Sequence, residues 1–167
     1  PSGTRPLDRL ERALHHRVRS LRMERTEAAL ERSLGVWGRP PVDVTRVAFS
    51  DLHSSATLDA IRALAPDVML VSGSPILRPE LFSLPRLGAV NVHYGIAPAY
   101  RGEDTLFWPL VKGDHESLGV TLHRIDRAID TGSILAHGFV GRSGGEGETE
   151  LWAAAARLGA RLVLRLL

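Results

Sequence analysis

Asn91, His93 and Asp130 place an amide, an imidazole and a carboxylate in a chain of otherwise ordinary composition. An amide offers two N–H donors, an imidazole gives or takes a proton near neutral pH, and a carboxylate accepts. Three such groups at one edge of a sheet could hold a polar ligand and move a proton. Successive strand side chains point to opposite faces, so Asn91 and His93 share one face while Val92 buries on the other. Asp130 follows His93 by 37 residues, inside Ile129-Asp-Thr-Gly132. A lone histidine at a strand end is more often structural, and an aspartate before Thr131-Gly132 can simply bond its own turn backbone. Asn91 beside His93, with a Pro- and Gly-rich loop after them, favours a site.

The elements that must position these groups follow from hydrophobic period and turn residues. Leu87 to His93 reads as a short buried strand, which the chain has left by Pro98 and Arg101-Gly102. Asp67 to Ser72 is a continuous apolar run, the pattern of a parallel strand covered on both faces. Val44 to Phe49, Gly119 to Ile125 and Ile134 to Val140 read as further strands. Helices are expected over Ser55–Ala65, Pro79–Leu84, Glu103–Val111 and Thr149–Leu166. Another is expected from the three- and four-residue spacing of Leu7, Leu10, Leu14, Val18 and Leu21, running on to Leu30 and stopping near Gly35. Gly35 to Pro41 reads as a turn region.

Strands alternating with helices predict an α/β fold: an open, mostly parallel sheet with helices on both faces and an antiparallel pair formed by the last two strands. The chain opens at Pro1 directly into a helix, so sequence before it, including one or more strands, is expected to be missing. Ligands of such sheets bind beyond the carboxyl ends of the strands. Ser72-Gly73-Ser74, His93 and Asp130 all lie at or past such ends and point to one cleft.

Bulk properties narrow the function classes. One domain is expected for 167 residues, long enough to bury a sizeable core. No cysteine is present, which removes thiolate chemistry and disulfides and suits the cytoplasm. No apolar stretch approaches the roughly 18 residues of a membrane span. The net charge is +2, although residues 1–34 carry eight Arg against five acids. That excess reads first as a solvated helix face and second as a contact for an acidic partner. His15 and His16 are adjacent, so they share no helix face for a metal, and no metal site is expected. Gly144-Gly145-Glu146-Gly147 lacks the lysine of a phosphate loop and reads as a flexible turn. His123 is expected on the polar side of its strand, with a substrate-facing role as the lesser reading.

The segment Asn91-Val-His-Tyr-Gly-Ile-Ala-Pro-Ala-Tyr-Arg-Gly102 resembles the signature of the folate-dependent formyltransferases. The resemblance continues through Trp108–Gly113, Gly119–His123 and Ile129–Leu135, and extends from Pro66–Val71 to the final helix, covering roughly residues 44–167. It implies a Rossmann-like fold and transfer of a formyl group from 10-formyltetrahydrofolate to an amine. On the matching positions it implies that Asn91 and His93 stabilise the developing oxyanion, and that Asp130 orients His93 and assists proton removal. A carboxylate beside an imidazole would favour its protonated form. By position, the pterin ring of the donor would lie against Ser74, Ile76 and Leu77 and against the stretch containing Ile125, Asp126 and Ile129.

The chain departs from the family where the acceptor would sit. Tyr94-Gly95 replaces Pro or Ala followed by Ser, and Ile96-Ala97-Pro98 replaces Leu-Leu-Pro. Tyr100-Arg-Gly and Phe107-Trp-Pro-Leu look more like the sugar N-formyltransferases, so a small amine such as an amino sugar or biosynthetic intermediate is the expected acceptor. The alternatives are hydrolysis of the same donor, a piece of a methionyl-tRNA formyltransferase, and a non-catalytic folate-binding module. Nucleic acid is not expected as a partner without a further domain, and a homodimer stays open.

Overall fold

The computed structural model describes residues 47–141 and 146–167, with Thr45 and Gly144. The helix expected over residues 7–30, the turn at 35–41 and Val44 lie outside the described residues. Helix α1 spans Ser55–Leu64. Ser54 caps it by accepting from the Thr57 N–H at 3.2 Å, which satisfies one of the first-turn donors that lack a partner inside the helix. Ala65 turns left-handed at φ 44°, and Pro66 prevents continuation. Strand β1 (Met69–Val71) leads to the single turn α2 (Pro79–Phe82), started by Pro79 at its first position. Strand β2 (Ala89–His93) follows, then α3 (Phe107–Lys112), ended by left-handed Gly113. Strands β3 (Gly119–Arg124) and β4 (Ile134–Phe139) and the long helix α4 (Glu148–Leu166) complete the order.

The four strands form one open sheet in the order β1-β2-β3-β4. β1 pairs with β2 in parallel, with Val71 opposite Asn91. β2 pairs with β3 antiparallel, placing Asn91 opposite His123 and His93 opposite Thr121. β3 and β4 are also antiparallel, with an irregularity between Leu122 and His123. The sheet is therefore mixed, and its antiparallel part extends one pair further than the sequence pattern predicts.

Alternation sorts the strands onto two cores. Val90, Val92, Val120 and Leu122 face α4 and join Leu106, Leu151 and Ala155 in one cluster. Val71 packs with Leu58 of α1, Leu81 of α2 and Leu77 in the other. Helices thus cover both faces, as expected. Helix α4 comes close because Gly159 stands against β2: a Cβ there would lie 3.0 Å from Val92 Cγ1.

Two segments differ from expectation. Residues 47 and 48 are irregular and Phe49–Asp51 forms a 3-10 turn instead of ending a strand, because the Asp51 N–H closes on the Ala48 carbonyl at 2.9 Å and leads into the Ser54 cap. The helix expected from Glu103 begins only at Phe107. Asp104 adopts φ 56°, a left-handed conformation that α-helix excludes, and its carbonyl accepts the Phe107 and Trp108 N–H groups at 2.9 and 3.1 Å.

Leu122 is fully buried between the sheet and α4. Leu122→Ala is expected to lower stability by about 3 kcal/mol through lost transfer energy and a residual cavity, read by urea denaturation. A loss below about 1 kcal/mol would show that the cluster repacks freely.

Candidate active site

Asp130 sits at the centre of the cluster, and its placement is built from backbone. It follows β3 in a loop where it adopts φ 50°, a left-handed conformation that aspartate tolerates better than most residues. The turn-forming role considered for Asp130 belongs instead to Asp126, whose Oδ1 accepts the Ala128 N–H at 3.0 Å and the Thr131 hydroxyl at 2.7 Å. Gly132 closes the loop: a Cβ there would stand 1.8 Å from the Arg124 carbonyl oxygen, so only glycine permits the approach. With its turn secured by other atoms, the Asp130 carboxylate points inward.

Four groups converge on it. Asn91 donates from Nδ2 to Oδ1 at 3.2 Å, and the Gly102 N–H donates to Oδ2 at 2.8 Å. His93 Nδ1 lies 3.3 Å from Oδ2, and His123 Nε2 lies 3.3 Å from Oδ1. The three expected site residues are thus brought together, with Asn91 and His93 on one strand face as the alternation required. His93, His123 and Asp130 expose only 6%, 3% and 11% of their side chains, so their charges interact in a medium far less screening than water.

His123 is the member that residue spacing alone does not single out. Its position opposite Asn91 arises from the β2–β3 register, and that antiparallel pairing was not anticipated. Its Nδ1 lies 2.8 Å from the Arg124 carbonyl oxygen and so carries a proton. Nε2, also 3.2 Å from Asn91 Nδ2, accepts from Asn91 when the ring is neutral and donates to Asp130 when it is charged.

The same surroundings move the three titrations differently. Burial raises Asp130, but the His123 hydrogen bond, the Gly102 N–H and the two imidazoles outweigh it and hold the carboxyl at about 2. Burial lowers His123, yet its bonds to Asp130 and the Arg124 carbonyl leave it above the ordinary imidazole value. Burial dominates at His93 and leaves it below that value, against the pull of the Tyr100 carbonyl and Asp130. Asp130 thus favours the protonated form of both imidazoles, as expected, but its pull prevails only at His123, whereas desolvation prevails at His93. Geometry marks the opposing force at His93. Nε2 is 2.9 Å from the Tyr100 carbonyl oxygen, so with Asp130 at Nδ1 the ring lies between two acceptors, and only its protonated form satisfies both.

The loop after β2 is pinned over the cluster. Thr121 donates to the Gly95 carbonyl at 2.6 Å and accepts the Ala97 N–H at 3.0 Å, while the Thr105 hydroxyl bonds the Tyr94 carbonyl. Gly95 is required here, since a Cβ would lie 2.8 Å from His93 Nε2 and 2.5 Å from Thr105 Cβ.

A cavity of about 500 Å³ opens at this cluster, within the range of small-molecule sites. Ser74, Ile76, Leu77, Ile125, Asp126 and Ile129 all line it. Leu77 is buried as floor, whereas Ile76 and Ile129 remain 70% and 55% exposed at the mouth. Apolar side chains left open at a cavity rim suit a flat apolar ligand. Among the described residues no cluster of His, Cys, Asp or Glu is arranged to hold a metal ion, and no helix is long and apolar enough to cross a membrane.

An open α/β sheet with helices on both faces and an Asn-His-Asp cluster at the end of one inner strand defines a Rossmann-like fold. Residues 21–163 match the sequence profile of the formyl transferase family, and the chain belongs to that family. A methionyl-tRNA formyltransferase of Halorhodospira halophila is 41% identical over 107 residues, which are 64% of this chain and 34% of that protein. The phosphoribosylglycinamide formyltransferase of Brucella melitensis superposes with a TM-score of 0.59 at 26% identity, covering 70% of this chain and 60% of that one. A sugar N-formyltransferase from a Shewanella species shares the fold at a TM-score of 0.57 and 18% identity, over 67% of this chain and 44% of that one. The chain spans between about a third and two fifths of the length of the curated relatives it matches, 34% of one and 42% of another.

The order of titration tests this electrostatic picture. His123 is expected to titrate above the ordinary imidazole value and His93 below it, followed by NMR of the ring nitrogens. Asp130→Asn removes an attraction that raises both and should lower both. A reversed order, or an unmoved His123, would contradict the assigned contacts. Because Asp130 is depressed to about 2 from 3.8, its stabilisation is full above pH 4 and disappears as pH falls toward 2, and Asp130→Asn should flatten that acid limb of the stability curve.

Proposed function

We propose that this domain transfers the formyl group of 10-formyltetrahydrofolate to the amine of a small acceptor. The observation that carries the reading is the convergence of Asn91, His93 and His123 on the buried Asp130 carboxylate at the mouth of the cavity. Membership of the formyl transferase family supports the donor class.

Attack of a neutral amine on the formyl carbon places negative charge on the formyl oxygen and positive charge on nitrogen. Asn91 offers an N–H to that oxygen, and protonation of His123 releases an Asn91 N–H by turning Nε2 from acceptor to donor. His93 Nε2–H moves from the Tyr100 carbonyl to the same oxygen. A preorganised donor at an oxyanion contributes about 10²–10³ in rate. Asp130, always ionised at neutral pH, holds the imidazole in place and balances the ammonium as it forms. Its depressed affinity for protons suits it to electrostatic support; collapse of the adduct breaks the bond from the formyl carbon to the folate N10, which leaves with the amine proton, passed to it directly or through water. Ser74, Ile76, Leu77, Ile125, Asp126 and Ile129 hold the donor, where an apolar slot with backbone hydrogen-bonding groups fits a pterin.

The methionyl-tRNA formyltransferases among the relatives favour a second reading, in which the acceptor amine is carried by an aminoacyl-tRNA. Both are tested by incubating the protein with 10-formyltetrahydrofolate and a panel of amino sugars, small amines and methionyl-tRNA, following tetrahydrofolate release. Formylation of a small amine supports the first reading, formylation of methionyl-tRNA alone supports the second, and formate release without any amine identifies a hydrolase. His93→Ala is expected to lower kcat/KM by about 10²–10³ with the fold intact by circular dichroism. Unchanged turnover would remove His93 from the mechanism.

A further inference from the structure

The cavity has a second wall that donor binding does not use. Tyr94 and Trp152 line it, yet Tyr94 lies on the sheet side covered by α4 and Trp152 is part of that helix. Their rings meet at a centroid distance of 5.1 Å and an angle of 57°. Alternation explains the placement, since Tyr94 follows His93 and points to the side of Val92. The cavity therefore wraps round the carboxyl end of β2. Loops holding the donor-side residues lie on one face, the Asn91–His93–Asp130 cluster lies at the edge, and the aromatic pair lies on the other face. A ligand on that wall would meet the reacting formyl group from the side opposite the pterin slot.

The chemistry of the wall is specific. Tyr94 and Trp152 are each half-buried against the α4 core, so their rings are held by packing. Among the described residues neither the Tyr94 hydroxyl nor the Trp152 indole N–H is hydrogen-bonded within the protein, and neither polar atom is buried, so both stand open to a ligand or to water. The Thr105 hydroxyl, also at the cavity, is already committed to the Tyr94 carbonyl. Gly159 lies beside the Tyr94 ring: a Cβ there would stand 3.7 Å from Tyr94 Cε1, at ordinary contact distance. Rigid aromatic faces carrying open polar ends suit a ligand with an apolar ring face and polar groups around its rim.

Resting on the formyl-transfer reading above, we infer that Tyr94 and Trp152 form the acceptor subsite and select a primary amine carried on a hydroxylated ring over the same amine on an open chain. The two residues act by positioning the ring so that its amine reaches the formyl carbon, and their effect appears in KM more than in kcat. A ring face on the aromatic pair plus one hydrogen bond corresponds to about a tenfold preference.

The test uses the full chain, 10-formyltetrahydrofolate and two amines of equal carbon number, trans-2-aminocyclohexanol and 6-aminohexan-1-ol. The ring amine is expected to show a kcat/KM about tenfold higher, and its binding should quench tryptophan fluorescence in the wild type but less in Trp152→Phe. Tyr94→Phe removes only the hydroxyl and should reduce the ring-to-chain ratio severalfold through KM. Tyr94→Ser should bring it close to one. Comparison of the two amines on the wild type needs no variant to fold. Formylation without a ring preference, formylation only of other amines, or a preference retained in both Tyr94 variants overturns this inference alone. No formyl transfer to any amine, with the donor left unconsumed, contradicts the formyl-transfer reading and the inference with it.

Discussion

Burying the Asp130 carboxylate is the constraint around which the site is arranged. An ionised carboxylate withdrawn from water is costly unless its oxygens are satisfied, and here each oxygen has two partners: Asn91 and His123 at Oδ1, Gly102 and His93 at Oδ2. Those partners come from β2, β3 and the loop between β2 and α3, so a single charge ties together three parts of the chain distant in sequence. The same set lowers the carboxyl pKa to about 2, which fixes its role as permanent negative charge at neutral pH beside two rings that can change theirs. Desolvation keeps His93 inclined to be neutral, while two acceptors reward it for accepting a proton. That opposition makes the ring sensitive to charge appearing in the cavity, which is what a reaction generating an oxyanion supplies.

The fold supplies the constraint with geometry. Parallel pairing of β1 with β2 opens the cavity at the carboxyl end of β2, while antiparallel β3 returns His123 to the same face. The close approach of Gly132 to the Arg124 carbonyl brings the Asp130 loop back over β3. Thr121 and Thr105 then pin the segment after His93. Aliphatic packing on both faces makes the strands rigid, so the polar groups at their edge are held by elements that have little freedom to shift.

Much of this was legible in the sequence because strand alternation is a short-range rule. Asn91 and His93 on one face, Val92 on the other, and the apolar β1 run all follow from period two. The pairing of β2 with β3 did not follow, because 25 residues separate His93 from Gly119 and a connection of that length serves either strand direction. His123 was underweighted for the same reason, since only the register shows it opposite Asn91. The late start of α3 depends on left-handed Asp104, and the inward aim of Asp130 depends on Asp126 taking over the turn. The first rests on one residue leaving the helical region, and the second is a choice between two aspartates of similar local propensity. The opposite shifts of His93 and His123 likewise depend on burial, which spacing does not encode.

The central claim is that His93 Nε2 and Asn91 Nδ2 face the formyl oxygen of a folate lying in the cavity. A crystal structure of the protein with a 10-formyltetrahydrofolate analogue, carbon replacing N10 so that the formyl group stays in place, tests it most directly. The formyl oxygen is expected at about 3 Å from both nitrogens, with the pterin between the 74–77 loop and Ile125–Ile129 and the Tyr100 carbonyl displaced from His93. A formyl group directed away from Asn91 and His93, with the Tyr100 carbonyl still on Nε2, would contradict it.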